Sequence, residues 1–247
     1  MLELLADPNT WASLATLTLM EIILGVDNIV FISVLVSKLP KDQARIARQI
    51  GLSLALVFRI LLLLVLSWLI GLTQPLFEIY GHGYSWRDII LFAGGAFLIY
   101  KATTEIHEEI EDPHDPTEKD AVGMALTAVV AQIVVIDAVF SIDSIITAIG
   151  MAEHVEVMII AVIIAVAIMY AASSSIASFI EHHPTTKMLA LAFLILIGVS
   201  LVADAIGFHI PKGYIYASMG FAVLVEGINI TASARRKARA ANQGKGK

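Results

Sequence analysis

Four carboxylates stand in this chain where carboxylates are costly. Glu21 and Asp27 lie in residues 16–31, TLTLMEIILGVDNIVF, and Asp137 and Asp143 lie in residues 132–147, QIVVIDAVFSIDSIIT. Both stretches are apolar enough to sit in a bilayer. A carboxylate near the middle of a membrane helix costs roughly 2.5–3.5 kcal/mol on insertion scales. Each pair must therefore be neutralised or hold something positive. Superposed, the stretches match: Thr16 falls on Gln132, Glu21 on Asp137, Gly25 on Ser141, Asp27 on Asp143 and Asn28 on Ser144. The chain contains a duplicated acidic membrane helix.

The ligands on offer are carboxylate, amide, hydroxyl and carbonyl oxygens. Such a hard-oxygen set suits Mg²⁺, Ca²⁺ or Mn²⁺. Neither acidic helix holds His or Cys, which disfavours zinc and copper. On an ideal helix Glu21, Gly25 and Asn28 share one face, as do Asp137, Ser141 and Ser144. Asp27 and Asp143 lie about 120° round from their partners and about 9 Å along the axis. One straight helix cannot aim both its acids at a single ion. Gly25 permits a break that would expose backbone carbonyls as ligands. Alternatively, two antiparallel copies give one acid each to a shared cavity. The bland reading is that the acids are protonated and only bond neighbouring helices.

These helices need a membrane scaffold, and the composition supplies one. Hydrophobic residues make up 58% of the chain and charged residues 15%, with a mean hydropathy of +0.83; soluble domains are less apolar and more charged. There are no cysteines, which excludes disulfides and thiolate metal sites. The N-terminus lacks a basic region and a cleavage site, so no signal peptide is expected. A span needs about 20 mainly apolar residues. Seven candidates cover roughly 10–37, 50–72, 88–104, 121–150, 156–180, 187–206 and 213–232. The first and fourth are candidates for bending or breaking. Between spans, 71–85 reads as a Gly/Pro/aromatic loop, 105–120 as an acidic connector and 207–213 as a short turn. Trp86 and Arg87 fit interfacial anchoring.

Lys38, Lys41, Arg45 and Arg48 in the first connector, and Arg235, Arg236, Lys237 and Arg239 in the tail, place both on the cytoplasmic side. Seven spans then put the N-terminus outside and the C-terminus inside. The two acidic helices run antiparallel. The expected fold is all-α: a polytopic bundle with a transporter domain over 1–232. It comprises one three-helix repeat over about 10–104, its inverted copy over about 121–206 and an extra helix at 213–232. A basic, disordered cytoplasmic tail follows at 233–247. In transporters built this way, substrate sites sit at the midplane between the repeats.

Other polar residues read as supporting or proton-coupling groups. Arg59 sits mid-span and needs a carboxylate, either one of the four acids or Glu226. It is a purely structural ion pair or a stand-in for the ion between cycles. Lys101 near its span end fits snorkelling. Asp204, Glu226 and Gln132 complete this set. Ser173, Ser174, Ser175 and Ser178 form a stripe suited to close helix packing. The acidic connector either focuses cations at the cytoplasmic mouth or is a solvated linker.

The motifs MEIILGVDNIVF (20–31), IDAVFSIDSIITAIG (136–150), HHPTTKMLALAFLILIG (182–198) and HIPKGYIYASMGF (209–221) resemble the TerC family of bacterial integral membrane proteins, named for tellurium resistance. The resemblance implies a seven-helix fold related to the LysE-like exporters and location in the bacterial inner membrane. It implies metal-ion export with Mn²⁺ as the leading substrate. It puts the functional acids at Glu21, Asp27, Asp137 and Asp143, with Asn28 and Ser144 beside the second acids. The short tail is expected to make this a form without cytoplasmic accessory domains.

The sequence thus points to a secondary transporter exporting a divalent cation, Mn²⁺ first, by proton exchange. No nucleotide-binding motif, resident cofactor, nucleic-acid partner or enzymatic role is expected. The rivals are an intramembrane aspartyl hydrolase and a membrane assembly or stress-resistance factor that moves nothing. Topology is directly testable, because introduced thiols have no native competitors. Thr117→Cys should react with an impermeant thiol reagent only from the cytoplasmic face, and Phe208→Cys from outside intact cells. Strong labelling of Thr117→Cys from outside would overturn the inverted repeat.

Overall fold

In lipid, every backbone N–H and C=O must be bonded within its own segment, so long apolar runs fold as helices. Proline, which cannot continue a helix, marks their ends. Pro8 and Pro184 occupy first helical positions, where no N–H is needed. Pro40 and Pro211 directly precede helices. A computed structural model describes residues 7–37, 39–79, 82–111, 122–149 and 155–244. Within these, the side chains of residues 24, 26, 27, 41, 66, 67, 79, 82, 122–125, 147–149 and 233–244 lie outside the described set.

The helices are α1 (Pro8–Val36), α2 (Lys41–Leu64), α3 (Leu66–Gly71), α4 (Trp86–Glu111), α5 (Val122–Ile149), α6 (Val155–His182), α7 (Pro184–Ala205) and α8 (Lys212–Gly244). All but α3 are long and apolar enough to cross a membrane, seven in the described residues. Residues 1–209 form one compact unit and residues 210–247 a second, which contains α8.

Within the first unit, α1 packs along α6, α2 along α5 and α4 along α7. Exchanging α1 with α5, α2 with α6 and α4 with α7 carries this set of neighbours onto itself. The α4–α7 crossing is reciprocal. A Cβ on Gly95 would meet the Gly198 carbonyl oxygen at 2.7 Å, and one on Gly198 would meet the Gly95 carbonyl oxygen at 2.8 Å. The two helices are antiparallel: Arg87 at the start of α4 pairs with Asp204 at the end of α7, and Lys187 near the start of α7 pairs with Glu109 near the end of α4.

Several expectations are corrected. Helices α1 and α5 run unbroken past Gly25 and Ser141. Gly25 instead leaves room for Met169 of α6, whose sulfur lies where a Cβ would be. The stretch expected as a loop at 71–85 contains a two-stranded antiparallel hairpin, β1 (Pro75–Ile79) with β2 (His82–Ser85), in which Phe77 stacks on Tyr84. The first part of the acidic connector is helical, since α4 continues to Glu111; residues 112–120 lie outside the described residues. The tail expected to be disordered continues α8 to Gly244, where Ala, Arg and Lys favour helix. In the serine stripe only Ser173 is buried, while Ser174, Ser175 and Ser178 are exposed.

The glycine crossing gives a test. Gly95→Ala or Gly198→Ala forces α4 and α7 apart and should destabilise the protein by about 1–3 kcal/mol, as overpacking does. Gly220→Ala in α8, where a Cβ meets nothing within 4 Å, should be neutral. Thermal unfolding in detergent compares the three.

Candidate functional site

Five polar side chains meet in the middle of the first unit. Glu21 and Asn28 come from α1, Arg59 from α2, and Asp137 and Ser141 from α5. All are buried, Arg59 to 2% exposure and Glu21 and Asp137 to 5% each. The helical spacing expected from sequence puts Glu21 and Asn28 on one inward face, and Asp137 and Ser141 on another.

Arg59 ties the two copies of the acidic helix together. Its Nη1 pairs with Glu21 Oε2. Its Nη2 and Nε donate to the two oxygens of Asp137, at 3.0 and 3.4 Å. This two-pronged grip is the geometry a guanidinium makes best. Asp137 also accepts from Asn28 Nδ2 at 2.7 Å and from Ser141 Oγ at 3.1 Å. Of the partners considered from sequence, Arg59 therefore takes two, at matched positions of the repeat. The cluster carries two carboxylates and one guanidinium. Beside them Asn28 Oδ1 is buried without a hydrogen-bond partner.

A second network sits at the end of the bundle that carries the hairpin. Arg87 Nη2 lies 2.6 Å from Asp143 Oδ1 and 2.8 Å from Asp204 Oδ2. The other oxygen of Asp204 meets His209 Nδ1 at 2.8 Å. Local structure fixes these groups. Ser85 and Asp88 form a capping box at the start of α4: Asp88 accepts from the Ser85 N–H at 2.8 Å, and Ser85 Oγ accepts from the Asp88 N–H at 3.3 Å. At the end of α7, Gly207 takes φ 89°, Phe208 N–H bonds Ala203 O and Gly207 N–H bonds Asp204 O. This Schellman turn sets His209 over Asp204.

The six residues expected to hold a metal are thus distributed. Glu21, Asp137 and Asn28 come together in the central cluster. Asp143 belongs to the hairpin-end network. Ser144 is buried and its hydroxyl donates to the Ser141 carbonyl of its own helix at 3.2 Å. The Asp27 side chain lies outside the described residues; along the axis its position is about 9 Å beyond Glu21, away from the hairpin end. Among the described residues no three His, Cys, Asp or Glu side chains gather as a ready-made metal site.

Of the supporting residues, Arg59 and Asp204 join the networks. Gln132 lies on α5 before Asp137, its Oε1 buried without a hydrogen-bond partner. Lys101 does not snorkel to the surface alone: it pairs with buried Glu105 one turn on, at 2.7 Å. Glu226 lies on α8, in the second unit. Arg87 is the correction: expected as an interfacial anchor, it turns inward to two carboxylates. The S-x-x-D capping pattern at 85–88 was the available signal that the helix starts there, with Arg87 in its first turn.

Burial of the whole cluster makes Arg59 a strong test of energetics. Arg59→Met leaves Glu21 and Asp137 buried and unpaired, which should cost about 3–5 kcal/mol. Adding Glu21→Gln and Asp137→Asn removes the uncompensated charge and should recover most of that loss in thermal unfolding.

Comparison with known proteins identifies the family of the chain. The integral membrane protein TerC family matches residues 6–241. The chain is 51% identical over 232 residues to a UPF0053 protein of Haemophilus influenzae, covering 93% of this chain and 97% of that one. It is 49% identical over 226 residues to the UPF0053 inner membrane protein YgdQ of Escherichia coli K12, covering 92% and 94%. It is 49% identical over 228 residues to the UPF0053 inner membrane protein YoaE of the same organism, covering 92% of this chain but 44% of YoaE. The chain thus spans less than half the length of some relatives it matches. No solved structure matches it.

Proposed function

The chain belongs to the TerC family of integral membrane proteins, and from that premise we propose that it is a secondary transporter exporting a divalent cation, Mn²⁺ first, from the cytoplasm in exchange for protons. What supports this is the central cluster. Two buried carboxylates, drawn from matched positions of two membrane helices, share one guanidinium, and a buried amide oxygen beside them has no donor. The cluster is rich in oxygen and one positive charge short. A cation near Glu21, Asp137 and Asn28 Oδ1 would meet hard ligands without thiolate or imidazole.

In this reading Arg59 stands in for the cargo between cycles. The cation displaces it from the carboxylates, and the guanidinium returns when the cation leaves. Asp27 and Asp143, displaced in opposite directions along the bundle axis, serve as ligands on the way in and out. Glu21 and Asp137 carry the coupling protons or complete the ion's shell. The hydrolase alternative is weaker. An aspartyl dyad needs two carboxylates sharing a proton, whereas a guanidinium joins Glu21 to Asp137.

The test is Mn²⁺ flux in proteoliposomes, with metal accumulation in overproducing cells alongside. Asp27→Asn with Asp143→Asn should lower export at least tenfold at normal membrane levels of protein. Glu21→Gln should weaken Mn²⁺ binding but leave it measurable, and should lose the pH dependence of flux. Normal export by the double variant, or tight Zn²⁺ binding that depends on Asp27 and Asp143, would overturn the ligand assignment. Absence of any metal flux would favour a membrane factor that moves nothing.

A further inference from the structure

We infer that Arg87 is a latch that closes the hairpin end of the bundle over Asp143 when no cation is bound there. It is a positioning residue, and its role as a gate rests on the transport reading above. Three helices converge on it: α4, which bears it; α5, through Asp143; and α7, through Asp204. The charged groups facing its guanidinium are Asp143, Asp204 and, at 3.6 Å, Asp88, with His209 behind Asp204.

The way the contact is made separates a latch from a permanent clamp. At the centre, Arg59 uses Nη1, Nη2 and Nε and grips Asp137 with two prongs. At the hairpin end both carboxylates crowd one nitrogen, Nη2, while Arg87 Nε is buried with no partner. A guanidinium built to stay would satisfy its fork; this one spends a single NH2 group on two helices. Two acids bracketing one nitrogen also hold it where a cation could exchange with it. The network reaches the surface, since the His209 side chain is 73% exposed while that of Asp143 is 6% exposed. Releasing Nη2 therefore removes the ion-pair bridge between α5 and α7 at this end and uncovers the Arg87-facing oxygen of Asp143, while the glycine crossing and the Lys187–Glu109 pair still hold α4 to α7 elsewhere.

The test uses the full-length protein in membranes, with one reporter thiol. Ser141→Cys places it in the central cluster, at a site fully buried here, in a chain with no other cysteine. An impermeant thiol reagent is applied to intact cells and, separately, to inside-out vesicles; Phe208→Cys identifies which preparation exposes the hairpin end. With Arg87 present, labelling should be slow from both faces. Arg87→Gln should speed it at least tenfold from the hairpin face and leave the other face unchanged, and Arg87→Lys should fall between. Asp204→Asn, which keeps the Arg87–Asp143 pair, should give a smaller rise on the same face and serves where Arg87→Gln does not accumulate. Unchanged labelling in both variants, or an equal rise from both faces, would overturn the latch, the second outcome marking general loosening. A protein that moves no Mn²⁺ would sink the transport reading but leave the sidedness of labelling intact, so the two failures are distinguishable.

Discussion

A guanidinium buried to 2% exposure between two carboxylates is the contact on which the arrangement of the first unit depends. In lipid the apolar faces of helices gain little from meeting one another, because the tails around them are equally apolar. What selects one packing over another is close contact and polar pairing. Arg59 can reach Glu21 and Asp137 together only if α1 and α5 present matched positions at the same depth. A slip of one turn, about 5.4 Å, would carry a carboxylate out of reach and leave it unpaired in a low dielectric. A buried ion pair is weak evidence for net stability, yet a broken one is strongly unfavourable. The triad therefore acts as a register pin between the two copies of the acidic helix.

The scaffold around the pin is nearly symmetric and its charges are not. Helices α4 and α7 cross at Gly95 and Gly198, each backbone lying against the other as a two-fold relation requires. The neighbours of α1 and α5 exchange in the same way. Yet α2 supplies Arg59, while α6, its counterpart, has no Lys or Arg along its length. Arginine closes the hairpin end, through Arg87. Near the far ends of α4 and α7 the pairs are lysine with glutamate, Lys101–Glu105 and Lys187–Glu109. The frame is symmetric, and the charged pairs that join its helices differ between the two ends.

The sequence displayed the acids because their cost in a membrane is independent of context, and the duplication because both copies keep the same spacing. The spans were legible from length and hydropathy, and Arg59 announced its need for a carboxylate. Which carboxylate it takes was not legible, since that depends on the relative depth of helices far apart in the chain. Arg87 was hidden for a different reason: beside Trp86 at a span edge, an arginine satisfies interfacial chemistry equally well, and only the tertiary position of α5 and α7 turns it inward. Gly25 was ambiguous in the same way. A glycine in a membrane helix permits a break or a close approach, and Met169 on a distant helix decides for the second. The serine stripe failed because small residues mark a packing face only where a neighbour arrives, and one arrives at Ser173 alone.

The central charge balance also constrains any cycle. With Arg59 in place, Glu21 and Asp137 leave the cluster one positive charge short. One proton, held by one of the carboxylates, would make it neutral. With Arg59 withdrawn, the same two carboxylates are balanced by one divalent cation. A low-dielectric site penalises any state with net charge far more than water does. On the proposed reading, the exchange that keeps the cluster neutral throughout is guanidinium plus proton for metal. A monovalent ion would balance the emptied pair only if one proton stayed behind, and a trivalent ion would leave it one charge in excess. On the proposed reading, a divalent cation is the single ion that neutralises the emptied pair without a retained proton.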